Sequence, residues 1–213
     1  MTNYAQVERL ALCTTFEQVG PDAPTLCEEW QTRDLAAHLV IRERRPDAML
    51  GRLVPAIAAR AATAADQVSS RPFTDLVSTV RSGPPGWHPT RLGPVDQVVN
   101  TAEFFVHHED VLRAQPGWVA PRPLPEELQR TLWRTCGVVG RLALRSAPVG
   151  VELVGTGAGA GRAMVRSGRP VVTVTGLPSE LLLFAFGRRA QAKVDLDGPA
   201  DAVASLLATP GAV

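Results

Sequence analysis

Apolar residues recur at helical spacing through the first two-thirds of the chain, and the texture changes at Pro148. Val7, Leu10, Ala11 and Phe16 predict a helix over about residues 3–19, ended by Gly20-Pro21. Residues 20–29 read as a loop. Thr32 is the expected N-cap of a second helix, and Asp34 in its first turn suits the positive end of the helix dipole. That helix turns Leu35, Ala36, Leu39, Val40 and Ile41 inward and stops before Pro46, because the residue preceding a proline is driven out of the helical region. An Ala-rich third helix is expected over about 47–68 and a shorter one over about 73–81, followed by a break at Gly83-Pro84-Pro85-Gly86. A long helix is expected over about 95–114, between Pro94 and Pro116. Another, over about 125–146, places Leu128, Leu132, Val138, Val139 and Leu142 on its apolar side.

Beyond Pro148 the pattern shortens. Val149–Val154, Arg162–Val165 and Val171–Val174 are Val-rich runs separated by Gly-rich turns and read as strands. A helix at about Pro178–Phe186, a strand at Ala192–Leu196 and a helix at Ala200–Ala208 complete the chain. The fold class expected is α+β, with a helical bundle over 1–147 followed by a small α+β unit over 148–213.

Composition narrows the function classes. Hydrophobic residues make up 45% and charged residues 20%, enough for a real core. The net charge is +1 and the arginines are dispersed, so the basic footprint of a nucleic-acid binder is missing. No apolar run reaches the roughly 18–20 residues of a membrane span. The N-terminus lacks the basic-then-apolar pattern of a secretory signal, and the expected setting is cytoplasmic. Cys13, Cys27 and Cys136 are few and odd in number, which fits a reducing compartment without disulfides.

The chemistry concentrates in Glu103-Phe-Phe-Val-His107. Residues at i and i+4 share a helix face, and Val111 continues this track as an apolar residue. A carboxylate and an imidazole on an apolar row need a partner, and a metal ion is one that suits both. His38, beside Leu35 and Ile41, faces inward on another helix and is the third candidate ligand. Two imidazoles and a carboxylate leave coordination positions open, as catalysis requires. Asp34 and Asp110, one turn from His38 and His107, could orient the two rings. On spacing alone, an ordinary i,i+4 surface contact explains the Glu103–His107 pair equally simply. His108 points elsewhere on its helix, towards solvent or the edge of the site, and Glu109 and Asp110 could simply solvate the helix. His88, in a loop between Trp87 and Pro89, reads as structural.

The stretch Trp30-Gln-Thr-Arg-Asp34-Leu-Ala-Ala-His38-Leu39 resembles the signature of the mycothiol-dependent maleylpyruvate isomerase N-terminal family, within the wider DinB-like superfamily. Glu103-Phe-Phe-Val-His107-His-Glu-Asp110-Val111 resembles its second signature, and Leu181–Arg188 with Asp197-Gly198 resembles its small C-terminal domain. The likeness therefore spans nearly the whole chain and lies nearest a metal-binding branch of that family. It implies a DinB-like four-helix-type bundle with His38, Glu103 and His107 as the ligands of a divalent ion. That ion would be Zn2+, with Ni2+ and Fe2+ suited to the same donors. It also implies mycothiol or a similar thiol as cosubstrate, and Arg188 (or the adjacent Arg189) as a catalytic residue holding a substrate carboxylate. The alternative for Arg188 is a helix C-cap.

The activity so implied is that of a metal-dependent thiol transferase or isomerase acting on a small electrophile. Two other readings stand beside it. One is a metal-assisted hydrolase of small molecules. The other is a non-catalytic metal or small-molecule binding module, its site closed by a fourth ligand such as His108, Asp34 or Asp110. The expected partners are small molecules and thiols rather than nucleic acid or membrane. Bundles of this class often pair through helix faces, which leaves a homodimer open. Two loop residues complete the list: Cys27, a small hydrophobe or a redox thiol, and Trp30, a packing anchor.

Overall fold

A computed structural model describes residues 2–27, 29–44, 63, 65–85 and 94–209. The chain divides into two compact units, Met1–Trp118 and Val119–Val213.

The first unit is helical. Its elements are α1 (Tyr4–Val19), α2 (Thr32–Arg44), α3 (Phe73–Ser82) and α4 (Pro94–Ala114). Residues 65–69 are helical too; the rest of the Ala-rich third segment and His88 lie outside the described residues. Helix α1 starts where the Asn3 side chain accepts the Gln6 N–H and ends at Gly20, whose φ of 82° a side chain would resist. Helix α2 begins one residue away from expectation. Gln31 precedes it, and the Asp34 carboxylate accepts the Gln31 backbone N–H at 3.0 Å, the return half of a capping box. Thr32 instead donates its hydroxyl to the Gly20 carbonyl, tying the start of α2 to the end of α1.

Leu12 and Phe16 of α1, Leu35 and Leu39 of α2, Leu76 and Val80 of α3, and Phe104 of α4 form one fully buried cluster. Each such side chain contributes about 1.5–3 kcal/mol by leaving water. Arg9 of α1 crosses this core. Its guanidinium binds both carboxylate oxygens of Glu43 on α2, donates to the Val80 carbonyl of α3 at 2.8 Å, and lies 4.1 Å from the centre of the Phe104 ring on α4. One side chain thus touches all four helices.

The second unit comprises α5 (Glu126–Ala143), β1 (Gly150–Gly155), β2 (Gly161–Arg166), β3 (Val171–Gly176), α6 (Pro178–Ala185), β4 (Asp195–Asp197) and α7 (Ala200–Leu207). The sheet order is β2-β1-β3-β4, with β1 antiparallel to β2, parallel to β3, and β3 antiparallel to β4. Helices and a small mixed sheet give the α+β class that the sequence pattern predicts. The parallel β1–β3 pair places Val151 beside Val172 and Leu153 beside Val174, all four fully buried. Strand β4 falls later than expected and is an edge, where exposed Asp195 and Asp197 discourage further pairing.

The compact units divide after Trp118, and α5 packs on α6 and on the β2 side of the sheet. One expectation changes in this unit, in the C-terminal half of the buried face of α5. Val138 and Leu142 are 59% and 62% exposed, and the inward row runs through Leu128, Leu132, Cys136 and Gly140. At Gly140 a Cβ would stand 2.8 Å from Val165 Cγ1 and 3.2 Å from Leu153 Cδ1, so helix and sheet approach closely there. Leu128 and Leu132 are buried as expected, and the row continues through Cys136 to Gly140, whose missing side chain admits the strand where apolar periodicity points to Val138 and Leu142. Val165 is β-branched and stiff. Gly140→Ala is therefore expected to destabilise the protein by about 1–3 kcal/mol in chemical denaturation, the usual cost of overpacking. Ala at the neighbouring exposed position, Val138→Ala, should cost well under that.

Candidate metal centre

Two i,i+4 pairs face each other in the first unit. Helix α2 presents His38 and Arg42, and α4 presents Glu103 and His107. Polar side chains link the two helices, with Arg42 Nη1 donating to Asn100 Oδ1 at 2.8 Å. Glu103 Oε1 lies at the hub. It is 3.4 Å from His107 Nε2, 3.8 Å from His38 Nε2 and 3.2 Å from Arg42 Nε. The three candidate ligand atoms of His38, Glu103 and His107 all lie within 4.8 Å of one another.

These residues fit a divalent ion. Tetrahedral zinc with bonds of roughly 2.0–2.1 Å needs ligand atoms roughly 3.3–3.5 Å apart. The Glu103–His107 separation of 3.4 Å is already there, and the His38 separation of 3.8 Å needs only a small closure. The side chains of His107, Glu103 and His38 are only 12%, 19% and 23% exposed, so the pair on α4 is no ordinary surface contact.

Electrostatics keep Glu103 ionised. Burial alone would raise its pKa, but hydrogen bonds from His107 and His38 and the charge of Arg42 hold it well below the usual carboxylate range. Burial likewise opposes charge on His107, yet Asp110, Cys27 and Glu103 hold its pKa well above that of free imidazole. An ion must therefore displace a tightly held proton from this ring.

Around His107 the structure fills in what the spacing left open. Asp110 is fully buried, and its Oδ2 lies 3.0 Å from His107 Nδ1. With Nδ1–H donating to that carboxylate, loss of the Nε2 proton would leave a lone pair facing Glu103 and His38, the tautomer a metal ligand needs. The Cys27 thiol donates to the same Asp110 oxygen at 3.2 Å. Cys27, His107 Nδ1 and Asp110 thus form a second compact donor group, on the far edge of the imidazole from the three-ligand set. The Leu26 N–H bonds the Asp110 carbonyl, which fastens the loop and delivers Cys27 to this position. Trp30 packs on the core as expected, its ring 5.2 Å from that of His38.

Several expectations are corrected here. His108 is buried, not solvent-facing, and is directed at α1, with Nδ1 3.1 Å from Glu8 and Nε2 3.0 Å from Thr15. One residue on from His107 rotates it by about 100°, away from the site. Glu109 and Asp110 do not solvate the helix. Both are buried, Glu109 paired with Arg113 at 2.6 Å. Asp34 serves the start of α2 rather than His38. In the second unit, Arg188 Nη1 donates to the Phe186 carbonyl at 2.6 Å just beyond α6, the geometry of a helix end. Arg189 reaches the Leu207 and Thr209 carbonyls at the end of α7.

Arg42 and its partner Asn100 were missed by motif reasoning. Both were findable: Arg42 stands four residues after His38 and Asn100 three before Glu103, on the same helix faces.

No protein-family model matches the chain, and no curated protein matches it. Two solved structures resemble it, both crystal structures of a mycothiol-dependent maleylpyruvate isomerase, one of them a histidine-to-alanine mutant. Their TM-scores are 0.61 for the mutant and 0.59 for the other, at 15% identity, each covering 91% of this chain and 90% of the other. At that identity the likeness is one of fold. Among the described residues, no helix is long and apolar enough to cross a membrane.

The thiols make a test of this geometry. Burial pushes Cys13 up to about 11, against the lowering charge of Arg81 and Arg9, and pushes Cys136 up to about 12. Both stay protonated and enclosed at neutral pH, whereas Cys27 is partly exposed. Brief alkylation of the native protein at pH 7.5, read by peptide mass spectrometry, should label Cys27 and spare the other two until denaturant is added.

Proposed function

We propose that His38, Glu103 and His107 hold a divalent metal ion, zinc in the first instance, and that the protein is a metal-dependent thiol transferase or isomerase. Its thiol would be mycothiol or a similar small thiol, and its substrate a small electrophile. The observation carrying this reading is the convergence of two imidazole nitrogens and one carboxylate oxygen from two separated helices. The isomerase fold of the neighbours adds the thiol to it.

Such an ion supplies Lewis acidity, stabilising a thiolate over a thiol at neutral pH. The protein's own residues do the rest. Glu103 and Asp110 supply the negative charge that a cation needs, and Asp110 fixes the His107 ring. Trp30 limits the motion of His38. Three protein ligands leave room for an exogenous one. His108, Asp34 and Asp110 are engaged elsewhere, so among the described residues none of these candidate fourth ligands closes the site. This weighs against a sealed binding module. Arg188 is retained as the proposed carboxylate-binding residue of the second unit, a role to be separated from helix capping by the KM of an Arg188→Ala variant.

Elemental analysis of protein purified without added metal should give about one divalent ion per chain. A cobalt-substituted sample should change its visible spectrum on thiol addition. Stoichiometric metal with a spectrum indifferent to thiol, together with thiol-independent turnover of an ester or amide, would favour the hydrolase. No metal after reconstitution would end the proposal.

His38→Ala and His107→Ala are each expected to lose the ion while keeping a native far-UV circular dichroism spectrum, because the apolar core of α1–α4 does not depend on it. Asp110→Asn should keep the ligands but weaken metal binding by about 10–100-fold, the usual effect of removing a carboxylate behind a ligating imidazole. Chelator competition measures both.

A further inference from the structure

We infer that Arg42 is an anion clamp beside the ion, and that the ligand it selects is the carboxylate of a small-molecule substrate. The inference rests on the metal reading above and adds a residue and a substrate feature to it.

Arg42 lies one turn after His38 on the same face of α2, so it projects into the space that the candidate ligands surround. Two contacts fix the guanidinium. Nη1 donates to Asn100 Oδ1 at 2.8 Å, and Nε stands 3.2 Å from Glu103 Oε1 as an ion pair. A guanidinium carries five N–H donors in a rigid plane, so one hydrogen bond and one ion pair place the group without exhausting it. Its side chain is 18% exposed, which leaves an approach for a solute.

The electrostatics make this placement informative. Arg42 forms an ion pair with the same carboxylate oxygen that would ligate the ion. A fixed positive charge beside a divalent cation costs metal affinity, and a neutral donor would orient Glu103 as well without that cost. The repulsion is relieved when an anion sits between the two. A carboxylate spanning an open coordination position and the planar guanidinium fits that role, since its two oxygens match the fork of donors. Without the ion, Arg42 pairs with Glu103. With the ion on Glu103, its donors serve the incoming anion.

Cobalt-loaded protein tests this with acetate as probe and acetamide as its neutral counterpart, each titrated against the visible spectrum. Cobalt affinity is measured separately by chelator competition. Arg42→Met should retain cobalt with equal or greater affinity and lose acetate affinity by about tenfold or more, the worth of a charge-assisted hydrogen-bonded pair. Arg42→Gln, which can keep a bond to Asn100 without the charge, should behave the same way, and acetamide should respond equally weakly in all three proteins. Acetate affinity within twofold of wild type in both variants would overturn the clamp while leaving the metal site intact. Loss of cobalt from both variants would also overturn it, by showing that Arg42 is a scaffold for Glu103. Failure of the wild-type protein to bind cobalt would remove the metal reading and this inference together.

Discussion

The ionised carboxylate of Glu103 is the constraint around which the first unit is arranged. A buried carboxylate without compensation costs several kcal/mol. Here one oxygen is faced by His38, His107 and Arg42 from two helices. Those groups lie on α2 and α4, whose polar side chains meet across the space between them, while Phe104 and Val111 of α4 share one apolar cluster with Leu35 and Leu39 of α2. The fold must therefore hold the two helices at a set distance. Arg9 helps do this from below: its bidentate pairing with Glu43, the residue after Arg42, ties α2 to α1, which packs on α4. The Arg9–Glu43 pair need not add net stability, since desolvation consumes most of its Coulomb energy. Its contribution is registry, because losing either partner would strand a charge in the core.

Much of this was legible in the sequence. The helices from α1 to α5 follow from apolar periodicity and from Gly and Pro punctuation, and the i,i+4 rule brings Glu103 and His107 together. The three-ligand convergence also follows once His38 is placed on the inner face of α2. What the pattern did not disclose depends on partners distant in the chain. Glu8 and Thr15 lie 100 and 93 residues from His108, so nothing local marks it as buried rather than exposed. Helix α5 likewise looks like the bundle helices before it, and its packing on α6 and the approach of Val165 to Gly140 are contacts that no local pattern announces.

Asp110 shows the limit of composition as a guide. Within His107-His-Glu-Asp110 it looks like one more charge on a soluble helix. In the structure it is fully buried and accepts from both the His107 ring and the Cys27 thiol. Cys27 arrives because the Leu26 N–H is captured by the Asp110 backbone carbonyl. Asp110 therefore fixes the loop through its main chain and the ring through its side chain, which couples the shape of the loop over α2 to the orientation of a candidate ligand.

If the proposed ion is bound, charge balance argues against a purely structural site. A divalent ion among His38, His107, Glu103 and Asp110 would meet two negative charges with two neutral rings, and the cluster would be neutral. A structural site could stop there. Arg42 adds a positive charge that neither Glu103 nor Asp110 can balance once the ion is present. The surplus lies in a partly buried setting, where solvent screens it less than at the surface. Binding an anion restores neutrality, whereas binding a neutral molecule does not. On the proposed reading the arrangement would favour an anionic third party at the open face, and a thiolate or a carboxylate would meet that demand.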